Sequence, residues 1–157
     1  MGTTSNTAER EISAERLLDA PRELVFKVWT EPEHLAKWWG PNGFTNTVHQ
    51  MEVKPGGLCR LTMHGPDGTD YPNRIIFKEI VKPKLLTYSH DSGIENDPGQ
   101  FEVTVNFDDE GGKTRLRMRA VFKSKEIRDY TAEKYGAIEG MIQHLERLND
   151  YLKLMQA

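Results

Sequence analysis

Residues 100–122 read QFEVTVNFDDEGGKTRLRMRAVF. In an extended chain, Phe101, Val103, Val105 and Phe107 point to one side, and Glu102, Thr104 and Asn106 to the other. After the turn Asp108-Asp109-Glu110-Gly111-Gly112 the pattern repeats. Leu116, Met118, Ala120 and Phe122 face one way, Arg115, Arg117 and Arg119 the other. Period-two alternation on both sides of a short turn predicts an antiparallel pair with one dry and one wet face. The arginine row admits two readings. It is either a stripe for phosphate groups or a solvated face opposite acidic neighbours, and the second is the simpler.

The same signal extends upstream. Strands are predicted over 45–53, 58–64, 73–81 and 85–90, besides 100–107 and 114–122. The breaks between them carry turn residues such as Pro55-Gly56-Gly57 and Gly65-Pro66-Asp67-Gly68. Short connections predict a meander. Residues 10–18 read as a further strand at the start. A helix then opens at Pro21, with Leu24, Val25, Val28 and Trp29 on one face. Thr30-Glu31-Pro32-Glu33 reads as a capping box that starts a second short helix, on which Leu35, Trp38 and Trp39 share a face before Gly40-Pro41 ends it. Downstream, Ser124 caps one long closing helix running to about Met155, with an apolar stripe of Ile138, Met141, Ile142, Leu145, Leu148 and Leu152. The predicted order is β-α-α-β6-α. It describes a two-layer α+β fold in which one antiparallel sheet is covered by a long helix. A curved sheet gripping a helix encloses a volume.

Bulk properties narrow the function. The 157 residues suit one domain, expected over 9–157, behind a disordered tail over 1–8. Net charge is −3, which gives no general attraction to nucleic acid or anionic membranes. No apolar run approaches the ~20 residues that span a bilayer. The amino terminus lacks the apolar core of a secretory signal. Cys59 is the single cysteine, so no disulfide forms within the chain, which fits a cytoplasmic location.

Catalytic motifs are sparse. The five histidines, His34, His49, His64, His90 and His144, make no metal-ligand spacing, and no metal or cofactor is expected. His64 and His90 end neighbouring strands and are placed to approach each other. No Gly-x-Ser-x-Gly elbow occurs, and Cys59 reads as a small buried hydrophobe. No catalytic residue is assigned.

Several segments together resemble a known superfamily. They are Ala20-Pro21, Trp29 with Thr30-Glu31-Pro32, Trp38-Trp39-Gly40-Pro41, Lys54-Pro55-Gly56-Gly57 and His64-Gly65-Pro66-Asp67-Gly68. Glu79-Ile80, Leu85-Leu86-Thr87-Tyr88, and Gly140 with Leu145, Leu148 and Leu152 continue the series. In this order they resemble the START-like (SRPBCC) superfamily with its helix-grip fold, and within it the branch named after the activator of heat-shock protein 90 ATPase. Two positions depart from the pattern. Ala20 replaces a helix-capping serine or aspartate, and Met141-Ile142 replaces a tryptophan after the helix glycine.

The resemblance implies a cavity between sheet and closing helix, often used for an apolar small molecule. Superfamily members include lipid carriers, hormone receptors, polyketide cyclases and oxygenase domains. The side chains expected to converge there are Trp38, Trp39, Phe44, Met51, Met63, Met118, Tyr135, Ile138 and Met141. Tyr88, His90 and Tyr135 offer polar groups at its rim. Trp39 is expected to act as a gate, with Gly40-Pro41-Asn42-Gly43 as a movable loop. The same side chains would also serve as a close-packed core. The leading expectation is therefore a binder of an apolar or aromatic small molecule, monomeric or homodimeric, without nucleic-acid or membrane partners. The alternatives are a co-chaperone-type interaction module in stress response, or a cyclase/dehydratase-like enzyme using the same cavity.

Overall fold

The alternation over 100–122 forms a hairpin of β6 (Phe101–Glu110) and β7 (Lys113–Phe122) in a computed structural model that describes residues 7–157. Its register sets Val103 opposite Ala120, Val105 opposite Met118 and Phe107 opposite Leu116, and all six side chains are buried. The wet positions meet as Thr104 with Arg119, Asn106 with Arg117 and Asp108 with Arg115.

Five more strands complete the sheet. They are β1 (Glu11–Leu18), β2 (Thr45–Met51), β3 (Leu58–His64), β4 (Asp70–Val81) and β5 (Leu85–Asp91). All neighbours are antiparallel, in the order β1-β7-β6-β5-β4-β3-β2. The meander thus runs from β2 to β7, and β1, the first strand in sequence, closes beside the last. β4 begins three residues before the predicted start, because Asp70, Tyr71 and Pro72 pair with His64, Met63 and Thr62 of β3. A single 3-10 turn (Ala8–Arg10) precedes β1. Of the tail expected over 1–8, residues 1–6 lie outside the described residues, and Ala8 belongs to this turn.

The arginine row is a solvated, paired face. Arg119 Nε donates to Glu11 at 2.8 Å, Arg115 reaches Glu110 at 2.8 Å and Glu15 at 3.3 Å, and Arg117 pairs with Asp108. These guanidiniums are spent on neighbours, so they do not form a phosphate stripe. Hydrogen bonds from Arg119, and then Thr7, hold the Glu11 carboxyl down to about 2.

Two short helices follow β1, α1 (Arg22–Thr30) and α2 (Pro32–Trp38). The capping box does not form. Thr30 Oγ1 donates back to the Phe26 carbonyl at 2.7 Å, and Glu31 precedes α2 without a side-chain cap. Pro21 stands just outside α1 rather than as its first residue. Ala20, which cannot cap a helix, is fixed through its carbonyl, which accepts from the buried Thr114 hydroxyl at 2.8 Å.

The closing helix is two helices, α3 (Lys125–Tyr135) and α4 (Ala137–Gln156). Ser124 caps α3, its Oγ accepting from the Ile127 N–H at 3.1 Å. Gly136 then adopts φ 61°, ψ 40°, a left-handed conformation that ends α3 and opens α4. The apolar stripe differs accordingly. Leu145, Leu148 and Leu152 are buried, together with His144 and Asn149, while Ile138 and Ile142 are exposed. Asn149 anchors α4 to the end of β1, accepting from the Asp19 N–H at 2.9 Å. The arrangement is the α+β helix-grip topology, with a C-terminal helix pair in place of one rod.

Gly136 and Gly140 separate two effects of glycine. A Cβ at Gly140 would stand 3.9 Å from Pro41, an ordinary contact, in a helix interior where alanine is better by up to about 1 kcal/mol. At Gly136 the positive φ penalises any Cβ. Urea titrations should therefore show Gly140→Ala unchanged or stabilised by up to about 1 kcal/mol, and Gly136→Ala destabilised by about 1 kcal/mol. Equal effects would refute the break at Gly136.

Candidate functional site

The three tryptophans converge on one histidine. The Trp39, Trp38 and Trp29 rings lie 4.6, 4.9 and 5.7 Å from the His144 ring, all at steep interplanar angles. Trp29 reaches this position from α1 and Trp38 from α2. The Trp38 indole N–H donates to the Val28 carbonyl at 3.1 Å, which locks α2 onto α1. His144 comes from α4, and its Nδ1 accepts the Gly40 N–H at 2.9 Å. The imidazole proton therefore sits on Nε2, which is buried without a hydrogen-bond partner among the described residues.

The loop after Trp39 is tied to α4. The Arg147 guanidinium donates to the carbonyls of Trp39, Gly40, Pro41 and Phe44 at 2.8–3.0 Å. Gln143 Oε1 accepts from the Asn42 N–H at 3.0 Å. A planar fork of donors suits a cluster of carbonyls that a point charge would not match. In the structure the loop expected to move is held to α4 by these hydrogen bonds. Trp39 itself is buried, at 3% exposure, and stands in a wall rather than across an opening.

Beside this cage lies a pocket of about 220 Å³. Trp39, Gly40 and Pro41 form one side, with Met63 of β3 and His90 of β5. Phe101 of β6 and Met118, Ala120 and Phe122 of β7 form the sheet wall. Thr131 and Tyr135 of α3, and Ala137, Gly140, Met141 and His144 of α4, cover it from the helical side. The bend at Gly136 puts the end of α3 and the start of α4 around the same space.

The sequence candidates fall unevenly. Trp39, Met63, Met118, Tyr135 and Met141 line the pocket, as does His90, and Tyr135 lies at its exposed edge. The others lie outside the lining. Trp38 is buried in the cage. Tyr88 is buried in the core, its ring 6.1 Å from Phe77 and 6.4 Å from His90. Phe44 packs on Tyr71 at 5.8 Å. Met51 belongs to the opposite edge strand, and Ile138 faces outward. Neighbours in an apolar stripe diverge where the covering element ends. Sequence reasoning missed His144, although its signal was present. A histidine three residues after Met141 and four before Leu148 stands inside the apolar stripe of α4.

The pocket's polar groups are few. His90 Nε2 is hydrogen-bonded to Asn73 Oδ1, and Asn73 Nδ2 donates to the Tyr71 carbonyl at 3.0 Å. Burial, opposed by Asp91 and Asp97, takes the His90 imidazole down to about 4. Burial, reinforced by His90 and Arg147, takes His144 down to about 3. Both rings are neutral at physiological pH. Asp91, next to His90, is engaged by a two-pronged ion pair from Arg74 at 2.8 and 2.9 Å.

Other groups considered for chemistry are tied up. Burial pushes the Cys59 thiol up to about 12, which leaves no thiolate. His64 bonds Thr47 and Asp70 at the sheet margin, so it does not meet His90. Glu31, Glu33 and His34 bring ligand atoms within 4.8 Å of one another. His34 Nδ1 is bonded to the Tyr151 hydroxyl at 2.7 Å, and its Nε2 lies 3.6 Å from Glu31.

The two depressed histidines make stability depend on pH. Unfolded, each binds a proton near 6.5, whereas the folded protein refuses it until about 4 and 3. Stability therefore falls as pH drops below 6.5, by on the order of 2 kcal/mol per histidine by pH 5. Carboxylates such as Glu11 add their own loss only below about 4.5. Denaturant midpoints between pH 7 and 5 should fall in the native protein and change much less in the His90→Gln/His144→Gln double variant. A flat native profile would contradict the burial of these rings.

The geometry agrees with known structures. A crystal structure from Nitrosomonas europaea, protein NE0264, matches with TM-score 0.84 and 24% identity, over 97% of this chain and 99% of that one. A solution structure from Arthrobacter aurescens matches with TM-score 0.86 and 27% identity, over 96% and 90%. An AHSA1-like protein from Aeromonas hydrophila matches with TM-score 0.72 and 19% identity, over 93% and 94%. No curated protein matches. The profile of the family described as activator of Hsp90 ATPase homolog 1-like protein matches residues 19–153. The chain belongs to this AHSA1-like family, within the START-like (SRPBCC) superfamily.

Proposed function

We propose that this chain is a cytoplasmic protein that binds a small apolar or aromatic molecule in the pocket between its sheet and the α3–α4 pair. The observation that carries this reading is the pocket of about 220 Å³, walled by Trp39, Met63, Phe101, Met118, Phe122 and Met141. Ligand sites are mostly apolar with a few placed polar groups, and this lining has that character. Methionines adapt to ligands of irregular shape. A cavity of ~150 Å³ accommodates benzene in another protein, so this one suits a ligand of about two fused rings. Among the described residues, no helix is long and apolar enough to cross a membrane.

A second reading is a co-chaperone-type module. Its support is the family description, which names a chaperone ATPase activator. Within the comparisons that support is more direct than any for a ligand. The surface such a module offers is the outer sheet face with its paired arginines and acids. Stimulation of a purified Hsp90-type ATPase, lost on charge reversal at Arg115 and Arg117, would favour this reading over the first.

The pocket reading is tested by native mass spectrometry of protein from its own host, together with titration of the fluorescent probe 1-aminoanthracene. A small-molecule adduct and saturable probe binding are expected. Gly140→Leu, which adds a side chain to the pocket wall, should weaken the probe by about tenfold or more while the protein stays folded. That loss corresponds to about 1.4 kcal/mol. A bare mass together with no saturable binding would overturn the reading.

A further inference from the structure

Two segments that wall the pocket are held to the rest of the molecule very differently. Residues 39–44 are fastened to α4 by six hydrogen bonds, one at His144, one at Gln143 and four from Arg147. The other segment is α3, which supplies Thr131 and Tyr135 to the same pocket. None of its residues is fully buried, although Ile127 and Ala132 are half-buried against the core. Most of its polar side chains bond within the helix, Lys125 to Asp129, Thr131 to the Ile127 carbonyl and Lys134 to Tyr130. Among the described residues, one side-chain hydrogen bond joins α3 to another element, from Arg128 Nε to the Glu11 carbonyl at 3.1 Å.

Both ends of α3 are suited to turning. Ser124 before it is extended, at φ −153° and ψ 164°. Gly136 after it is left-handed, and a Cβ there would meet nothing within 4 Å, so no neighbour packs on the turn. Beyond Gly136, α4 is anchored through His144, Arg147 and Asn149. A segment with few buried contacts and few bonds to its neighbours opens at low cost, and hinges lie at the ends of elements. An opening is also needed. Met118, Ala120 and Phe122 on the sheet wall are at most 7% exposed, so a ligand reaches them only past the cover.

We propose that α3 is the lid of the pocket, swinging on Ser124 and Gly136 to admit a ligand past Thr131 and Tyr135, while residues 39–44 and α4 form the fixed frame. The inference rests on the ligand-binding reading above and adds the route of entry.

Two measurements on the full chain test the lid, and neither needs a ligand. In native-state hydrogen exchange, the amides of 131–135 should exchange at least about tenfold faster than the bonded amides of Gly40 and Asn42. In the second, Met118→Cys places a thiol on the pocket floor, and fluorescein-5-maleimide, too bulky for a space of about 220 Å³, labels it only when the cover opens. Native Cys59, which is 0% exposed, reports global unfolding in the same sample. The pocket thiol should react at least about tenfold faster than Cys59. Arg128→Ala, which cuts the tie of α3 to Glu11, should speed pocket labelling about threefold or more. Gln143→Ala, which cuts a tie of the loop, should leave it unchanged. Exchange in α3 as slow as at Gly40 and Asn42, no acceleration in Arg128→Ala, or an equal one in Gln143→Ala overturns the lid and leaves the ligand-binding reading standing. Absence of saturable 1-aminoanthracene binding and of any adduct overturns that reading, whatever the labelling shows.

Discussion

The bond from the Gly40 N–H to His144 Nδ1 joins two parts of this protein that lie far apart in sequence. It fastens the loop after α2 to the middle of α4, 104 residues later. Three indoles close around the imidazole, so the contact is dry. A hydrogen bond in such surroundings is costly to break, because an unmet buried amide loses about 1–3 kcal/mol of solvation. Edge-to-face ring contacts add about 0.5–1.5 kcal/mol per pair beyond buried area. Arg147, one turn further along α4, holds the following carbonyls. The loop and α4 are thereby held together, and both contribute to the wall of the pocket.

The pocket depends equally on an interruption. A straight rod from Ser124 onward would lay one apolar stripe along the sheet and fill the space with its own side chains. Gly136 bends the chain instead, and the end of α3 and the first turns of α4 arch over β6 and β7. Ile138 and Ile142 are turned outward by the same bend, whereas Ala137, Gly140 and Met141 face in. Two of those three inward residues are small, so volume is conceded where a close-packed core would have a larger side chain.

Charge is arranged to stay out of this space. The arginines of β7 are met by Glu11, Glu15, Asp108 and Glu110 on the wet face. Exposed pairs of this kind contribute little each, about 0–1 kcal/mol, but they keep the sheet's outer surface soluble without a strong field of one sign. Inside, burial keeps the two pocket histidines neutral. The interior thus offers directional polarity without net charge.

The alternation over 100–122 is legible because a strand sends successive side chains to opposite faces, so one dry face can be read from residue order alone. Ser124 as a helix cap and Cys59 as a buried hydrophobe were legible for similarly local reasons, as was the helix-grip family through its ordered short segments. Other features depend on partners far along the chain. That β1 pairs with β7, that Gly136 breaks a helix whose apolar period runs on, and that Arg147 binds the loop it does not neighbour are settled by packing. So is the division of the candidate residues, with Met63 and Met141 at the pocket and Phe44, Met51 and Ile138 elsewhere. The sequence by itself determined which faces are dry and which segments turn, because these follow from local geometry and side-chain chemistry. Only the tertiary structure decided where the dry faces fail to meet, because a void is defined by the spacing of elements and not by any residue within them.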